Sequence, residues 1–156
     1  MEKSKLHLSI VNVQLFRGVC AIAIKLGSAL RNAMLDQIET TVGTSAKLNI
    51  FTGSAPASAG AAATGTMVVQ YSLASDWAAA ASGGSKALSN LPLSTTAAAS
   101  GSAGYFRIYD SSNTTCSVQG TCSNTGDGGD LTLDNVVLNS GQTVNITAFT
   151  ITAPGA

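Results

Sequence analysis

The chain has 156 residues, of which 45% are hydrophobic, 10% are charged and 5% are aromatic, and its formal net charge is zero. A chain of this length forms one domain with a core of ordinary size. The low charged fraction argues against a disordered, solvating chain, and the zero net charge gives no overall attraction to nucleic acid or to an anionic membrane.

The charges are unevenly distributed along the chain. Six of the eight Lys and Arg residues lie in the first 47 positions, whereas four aspartates and no basic residue follow Arg107. A basic head and an acidic tail would help identical copies to pack head to tail. The alternative is simple scatter in a chain with few charges.

Residues 1–25 fit neither a secretory signal nor a transmembrane helix, because three polar residues interrupt the apolar run that both require: Asn12, Gln14 and Arg17. Apolar and polar residues alternate across residues 6–15, with a shift in parity between Ile10 and Val11. This alternation predicts a β-strand with one bulge. The alternative is a mis-called start, with the native protein beginning between Cys20 and Leu26.

One amphipathic helix is predicted after this segment, with Ser28 as its N-cap residue and Gly43 just past its end. Apolar residues recur on one side of it at Leu30, Met34, Ile38 and Val42, with Leu35 beside them. The polar residues off this stripe are Arg31, Asn32, Asp36 and Glu39. The pattern predicts a helix of about three to four turns whose apolar stripe covers a sheet.

From Lys47 onward the apolar residues recur with a period of two, which predicts β-strands. The predicted strand segments are KLNIFTG, TMVVQYSLA, ALSNLPL, AGYFRIYDSSN, TTCSVQGTCS, DLTLDNVVL and QTVNITAFTIT. Short strands at intervals of about ten residues, without alternating helices, are typical of an antiparallel sandwich or barrel. The predicted fold is therefore mainly β, an antiparallel β-sandwich of about seven strands with one N-terminal amphipathic helix.

Two local features of this region add to the prediction. Asp76 is a suitable N-cap for one helical turn at Trp77. In the last segment the apolar residues switch parity between Ile146 and Phe149. A bulge near residues 147–148 would reconcile the two halves, or both faces of the strand are covered.

Three cysteines are present, namely Cys20, Cys116 and Cys122. In one continuous strand Cys116 and Cys122 would lie roughly 20 Å apart, at ~3.3 Å per residue, which exceeds the ~7 Å limit on the Cα separation of a disulfide. They could pair only if the chain turned back at Gln119 and Gly120. We therefore expect free thiols, and the odd count without a CxxC motif argues against zinc and against a disulfide framework.

Three aspartates among glycines, Asp127, Asp130 and Asp134, raise the question of a calcium site. Calcium loops use closely spaced oxygen ligands and a glycine, but this segment lacks their Asp-x-Asp-x-Asp-Gly spacing and their late glutamate. We expect a glycine-rich turn followed by closing strands, and no metal site.

The sequence contains no recognisable catalytic centre. The only histidine, His7, lies in residues 1–25, so a Ser–His–Asp or Cys–His site has no framework. The segment SGGSK lacks the strand–helix unit of a phosphate loop. We predict no catalytic, cofactor-binding or metal-binding residue, and we expect that the protein is not an enzyme.

Four aromatic residues allow two interpretations: Tyr71, Trp77, Tyr105 and Tyr109. They could form an exposed platform for a sugar ring, or they could lie in the core, which is the commoner place for aromatic residues of a sandwich. An exposed aromatic patch near Trp77 would favour sugar binding, whereas a flat apolar face would favour assembly.

Four segments resemble, in the same order, a family of small virion proteins of tailed bacteriophages and prophages. They are ALRNAMLDQIE, SDWAAAASGGSKAL, GYFRIYDSSNTTC and GGDLTLDNVVLNSGQTVNITAFTIT. The similarity covers about residues 26–156, and its motifs are not catalytic. It implies a structural particle component, either a head decoration (cement) protein or a tail-associated protein. Members of this family usually begin near Leu26, so residues 1–25 are a lineage-specific arm or a mis-called start.

The chain is thus expected to consist of an N-terminal extension, 1–25, which is an arm, disordered or mis-called, and a β-sandwich domain with a leading helix, 26–156. The expected function is that of a non-enzymatic virion protein, assembled in the bacterial host cytoplasm, which stabilises the capsid shell through many weak contacts. Its expected partners are copies of itself and other virion proteins such as the major capsid protein; no nucleic acid, membrane or cofactor is expected. The alternatives are a carbohydrate- or host-surface-binding module of a tail or fibre, and a secreted bacterial adhesin domain.

Overall fold

The structure, a computed structural model, describes residues 24–155. The predicted bulged strand, His7 and Cys20 lie outside the described residues. Within them, one helix, α1 (Ser28–Val42), precedes ten strands. The strands are β1 (Lys47–Thr52), β2 (Met67–Ser72), β3 (Ser85–Ala87), β4 (Leu93–Thr96), β5 (Gly101–Tyr109), β6 (Cys116–Asn124), β7 (Leu131–Leu133), β8 (Val137–Leu138), β9 (Thr143–Ile146) and β10 (Thr150–Thr152).

The strands form one main sheet and two separate pairs. The main sheet has the order β2-β1-β5-β6-β7, and β8 pairs with the start of β5. Its neighbours are antiparallel except β6 and β7, which run parallel. Strands β4 and β9 form one antiparallel pair, and β3 and β10 form the other. The prediction of a mainly β fold with one N-terminal helix is confirmed, whereas a seven-stranded antiparallel sandwich is not.

Two of the predicted strand segments are divided by irregular chain. The segment ALSNLPL, residues 87–93, holds only the end of β3 and the start of β4, and DLTLDNVVL holds β7 and β8 as separate short strands. The switch in parity after Ile146 has a different cause from the predicted bulge. The chain leaves β9, which pairs with β4, and forms β10, which pairs with β3, so Ile146 and Phe149 are both buried.

The two faces of the main sheet carry separate apolar clusters. The larger cluster includes Leu48, Phe106 and Ile108 from the main sheet, and it also contains residues of α1 and of both strand pairs. On the opposite face, Phe51, Tyr105 and Tyr109 form a smaller cluster. Successive side chains of a strand point to opposite faces, which explains why Phe106 and Tyr105 belong to different clusters.

The buried face of α1 differs from the predicted stripe. Leu35 and Val42 are buried, but Leu30 and Met34 are 54% and 45% exposed, and Arg31 is buried in their place. The predicted stripe was wrong because every charged side chain of the helix was assigned to the surface, whereas Arg31 is buried. The predicted N-cap is also wrong, since Gly27 occupies that position and no side chain caps the helix. Gly43 does end the helix, with a left-handed φ of 84°.

Arg31 attaches α1 to the β3–β10 pair through hydrogen bonds. Its Nη2 atom donates hydrogen bonds to the carbonyl oxygens of Ala153, at 3.0 Å, and of Gly84, at 3.4 Å. The N–H of Gly84 donates in turn to Asn32 Oδ1 at 2.8 Å. Gly84 has a φ of +80°, and a Cβ at this position would overlap the guanidinium of Arg31. The fold therefore needs glycine at position 84 both for its backbone conformation and for close contact with Arg31.

We predict that Gly84→Ala destabilises the protein by about 2–4 kcal/mol, because it adds a displaced Arg31 to the strain of a left-handed alanine. The matched control is Gly83→Ala, since Gly83 has a φ of +61° and open space around its Cβ position. This control should lose only about 1 kcal/mol. Urea unfolding measures both free energies. Equal losses in the two variants would show that the contact with Arg31 contributes nothing.

The hairpin between β5 and β6 turns at residues 110–113, as the Asp-Ser-Ser-Asn sequence predicted. The carboxylate of Asp110 accepts hydrogen bonds from the N–H of Thr114, at 2.9 Å, and from the hydroxyl of Ser112, at 2.9 Å. The hydrogen bonds, led by that of the Thr114 N–H, favour the charged carboxylate and lower the pKa of Asp110 to about 2.

This lowered pKa makes part of the stability pH dependent. A carboxylate whose folded pKa lies below its unfolded value stabilises the fold above the unfolded pKa and loses that effect as the pH falls through the folded pKa. For Asp110 the window runs from the ordinary value of 3.8 down to about 2. In this window Asp110→Asn should lose less stability on acidification than the parent chain.

The control for this experiment is Asp134→Asn, because the exposed Asp134 carboxylate makes no hydrogen bond or ion pair within residues 24–155. Unfolding free energies measured between pH 5 and pH 2 compare the three proteins. The same acid dependence in Asp110→Asn and Asp134→Asn would contradict a role for the turn.

Candidate functional site

A cleft lies between α1 and the chain that leads into β3. Its volume is about 590 Å³, and its charged lining residues are Asp36, Glu39, Asp76 and Lys86. Two carboxylates of α1, one lysine and one loop aspartate share this cleft. These are side chains that acid–base catalysis uses, so the cleft is a candidate catalytic site.

Lys86 is the buried centre of this charged group. Its side chain is only 2% exposed, and its Nζ lies 2.9 Å from Asp36 Oδ1 and 3.0 Å from Glu39 Oε2. It also donates to the carbonyl oxygen of Ala79 at 2.9 Å. Three acceptors therefore occupy the three protons that an ammonium group can donate.

The electrostatics favour the charged forms of Lys86 and Asp36. Burial disfavours the ammonium of Lys86, but its hydrogen bonds to Asp36 and Glu39 outweigh that effect and raise its pKa. The hydrogen bond from Lys86, followed by that from the N–H of Ala81, lowers the pKa of Asp36. A lysine held charged and saturated with acceptors is neither a general base nor a nucleophile. The cluster thus attaches α1 to β3.

The two carboxylates also bind the backbone of the segment before β3. Asp36 Oδ1 accepts from the N–H of Ala81 at 2.9 Å, and Glu39 Oε1 accepts from the N–H of Ala78 at 3.3 Å. The helical turn predicted at Asp76 is absent, and Ala78 instead forms a β-bridge with Leu88. In a helical turn these backbone groups would pair with one another. Here they form hydrogen bonds with side chains of α1 and with an adjacent segment of the same chain.

The four aromatic residues of the predicted sugar platform are all buried: Tyr71, Trp77, Tyr105 and Tyr109. Trp77 is 1% exposed, and its Nε1 donates to the carbonyl oxygen of Gly43 at the end of α1, at 3.0 Å. The hydroxyl of Tyr71 donates to the Val144 carbonyl at 2.9 Å. The core interpretation of these residues is confirmed, and they form no exposed platform.

The three aspartates of the glycine-rich segment have separate positions and partners. Asp130 Oδ2 accepts from the N–H of Thr121, at 2.8 Å, and from its hydroxyl, at 2.9 Å. Asp127 accepts from the amide of Asn124 at 3.2 Å, and Asp134 is exposed just after β7. Within residues 24–155, no group of three or more His, Cys, Asp or Glu side chains could hold a metal ion. The segment is the turn and the first closing strand of the sheet.

The cysteines lie on one continuous strand, as predicted. Cys116 begins β6, Cys122 lies near its end, and the chain does not turn back between them. Both are free of disulfide bonds. Burial, followed by the negative charge of Asp130, raises the pKa of Cys122 to about 12. Cys116 is only half-buried, and Arg107 Nε lies 3.1 Å from its Sγ atom.

Arg107 is a buried residue that the sequence analysis missed. It is 1% exposed, and its Nη2 donates to the carbonyl oxygens of Ala59 and Ala61. Its guanidinium carbon lies 5.4 Å from the ring centre of Tyr109. The sequence did contain a signal for the burial of Arg107. It lies at alternate positions of β5 with Tyr105 and Tyr109, so the three side chains share one face of the strand. A cavity of about 310 Å³ lies beside it.

An exposed apolar surface runs along α1. We define the outer helix face as Leu30, Met34 and Ile38 of α1 together with Val118 of β6. Leu30 and Met34 are among the most exposed large apolar side chains of the described structure, and a shallow cavity of about 240 Å³ lies between Met34, Ile38 and Val118. Ile38 and Val118 are partly buried against the core, and the cavity is also lined by Gln37, Thr41 and Ser117. The four side chains that define the face are apolar, so the face suits contact with another apolar surface.

No protein-family model matches the chain, and neither the curated proteins nor the solved structures contain a match. Within residues 24–155, no helix is long and apolar enough to span a bilayer. Any functional conclusion therefore depends on the surface chemistry described above and on the resemblance of the four segments.

We predict different reactivities for the two described cysteines. In the native protein, iodoacetamide should modify Cys116 at least about ten times faster than Cys122, because the Cys122 thiol is buried and its pKa is raised. Peptide mass spectrometry after timed labelling measures both rates. Unreduced, denatured protein serves as the control, and both thiols should react in it. Equal native rates, or a Cys116–Cys122 disulfide, would contradict the structure of β6.

Proposed function

We propose that this protein is a non-enzymatic structural component of a tailed-phage particle, and more specifically a capsid decoration protein. The observation that supports the proposal most directly is the outer helix face, an apolar surface on a regular element with Leu30 and Met34 exposed. Such a face suits packing against another protein better than it suits contact with water. The resemblance of the four segments points to the same class of protein.

The energetics of such a face suit a repeating shell. Burying the exposed parts of Leu30 and Met34 would contribute about 1–2 kcal/mol for each side chain. A contact of this size is weak for one copy of the protein, because association itself has a large entropic cost. On a symmetric lattice many such contacts act together, and their combined strength exceeds that of any single one. The proposed partners are the major capsid protein, other virion proteins and further copies of this chain.

The alternative is a tail- or fibre-associated module that binds carbohydrate or a host surface. That function would be favoured by exposed aromatic rings, on which sugars stack. Burial of Trp77 and of the three tyrosines removes the platform that the sequence offered for it. The proposed adhesin domain has no observation of its own in its favour. A glycan array carrying bacterial surface polysaccharides tests the carbohydrate alternative directly.

The proposed function predicts that the protein is found in purified virions. Mass spectrometry of gradient-purified particles from the encoding phage or induced prophage should detect it in stoichiometric amounts relative to the major capsid protein. Heads separated from tails should retain it. Its absence from intact particles would overturn the proposal, and its presence on tails alone would overturn the decoration assignment.

The outer helix face makes a second prediction within the same experiment. The double variant Leu30→Gln, Met34→Gln should lose particle occupancy by at least about tenfold, because about 1.4 kcal/mol of lost contact changes an equilibrium tenfold. Its melting temperature should change little, since both side chains are already exposed in the free protein. The control is Thr40→Gln, which lies on another exposed face of α1. Equal occupancy of all three proteins would exclude this face as the contact.

A further inference from the structure

Helix α1 directs its charged side chains towards its own domain. Arg31 donates to carbonyl groups beside the β3–β10 pair, and Asp36 and Glu39 bind Lys86 of β3. Every exposed position of α1 carries an uncharged residue. A surface helix ordinarily turns charged residues to water, so the outward side of α1 departs from that rule. This side suits contact with an uncharged protein surface.

A protrusion and a cavity lie on this side of α1, at different places along the helix. Leu30, near the start of the helix, is 54% exposed. The shallow cavity of about 240 Å³ lies near its end, where the helical lining residues are Met34, Gln37, Ile38 and Thr41. The centre of these four positions is about 11 Å from Leu30, at 1.5 Å per residue, and Met34 lies about midway between the two features.

The cavity is large enough to hold a leucine side chain. An apolar cavity of roughly 150 Å³ accommodates benzene, which has more carbon atoms than the side chain of leucine. Three of the lining residues are apolar, Met34, Ile38 and Val118, and the others are uncharged. A leucine that entered the cavity would therefore contact apolar groups of both α1 and β6, and it would displace no charged group.

We propose that the outer helix face binds a second copy of this chain, with the two α1 helices antiparallel about a twofold axis beside Met34. In this arrangement Leu30 of each copy enters the cavity of the other, because the protrusion and the cavity lie at about equal distances on either side of Met34. A twofold interface needs such self-complementarity, since the same surface serves both copies. The inference rests on the proposed function, in which this face makes contacts between proteins of the particle.

Charge and helix geometry favour a second copy over an unrelated partner. The exposed positions of α1 bring no charge into the contact, so two copies bury no unpaired charge against each other. Antiparallel helices also place opposite ends of their dipoles side by side, which is favourable. Ala33 is exposed next to Met34, and its small side chain allows the two helix axes to approach closely.

The size of the face makes this contact weak. Helix α1 has 15 residues and is therefore about 22 Å long. One face of such a helix offers less than the roughly 800 Å² per partner of a standard stable interface. The dimer should therefore dissociate in dilute solution. It should form where copies are held close together, as on a shell, at effective concentrations of roughly millimolar.

Disulfide trapping in the full chain tests this proposal, because it captures weak dimers. All variants carry Cys20→Ser and Cys116→Ser, which leaves the buried Cys122 as the only native thiol. In this background, diamide oxidation of Met34→Cys at high protein concentration should give a covalent dimer, because the two Met34 positions meet at the axis. The control is Thr40→Cys, which is exposed on another side of α1. It should link at least about tenfold more slowly, since the dimer does not bring its thiols together.

Two further variants test the register of the helices. Leu30→Cys should not link to itself, because its two copies would lie about 11 Å apart along the axis, beyond the ~7 Å limit on the Cα separation of a disulfide. A mixture of Leu30→Cys and Gln37→Cys should give the mixed dimer. Equal linking of Met34→Cys and Thr40→Cys would overturn the proposal, and so would Leu30→Cys that links to itself as fast as Met34→Cys.

Particle occupancy, measured separately, distinguishes this inference from the proposed function. If Met34→Cys does not link while the variant Leu30→Gln, Met34→Gln still loses occupancy, the second copy is overturned and another virion protein is the occupant. If Met34→Cys links as expected but the chain is absent from particles, the proposed function is overturned and the dimer is supported.

Discussion

The fold depends on two buried cations that join α1 to the β3–β10 pair. A pair of three-residue strands is marginal on its own, because it has too little apolar surface to stabilise itself. Lys86 is bound by two carboxylates of α1, and Arg31 of α1 is bound by the Gly84 and Ala153 carbonyl groups, which lie opposite each other at one end of the pair. Removing both Asp36 and Glu39 would leave the buried ammonium of Lys86 without a counter-charge, which is more costly than the loss of an exposed ion pair.

Arg107 performs a similar task on the opposite face of the main sheet. The loop between β1 and β2 consists of alanine, serine, glycine, threonine and proline, which bury little apolar area. It is held instead by hydrogen bonds to its backbone. Arg107 binds two of its carbonyl groups, the Gln119 amide binds that of Pro56 at 2.7 Å, and the Tyr105 hydroxyl binds that of Thr64 at 2.6 Å. A chain with few large apolar residues thus uses buried polar side chains where other proteins use packing.

The local sequence pattern predicts the helix and some strands of this structure and fails to predict others. Strands β1, β2, β5 and β6 are six to nine residues long, so their alternation was visible, and the helix was visible from its period. Strands β3, β7 and β8 are too short to show a period. Strands β3 and β8 form against strands that are distant in sequence, β10 and β5, and β7 forms against the preceding strand, β6. The orientation of α1 was wrong since Arg31 binds groups 53 and 122 residues away. The same reason applies to the candidate site, where the burial of Trp77 and the pairing of Lys86 are decided by tertiary contacts.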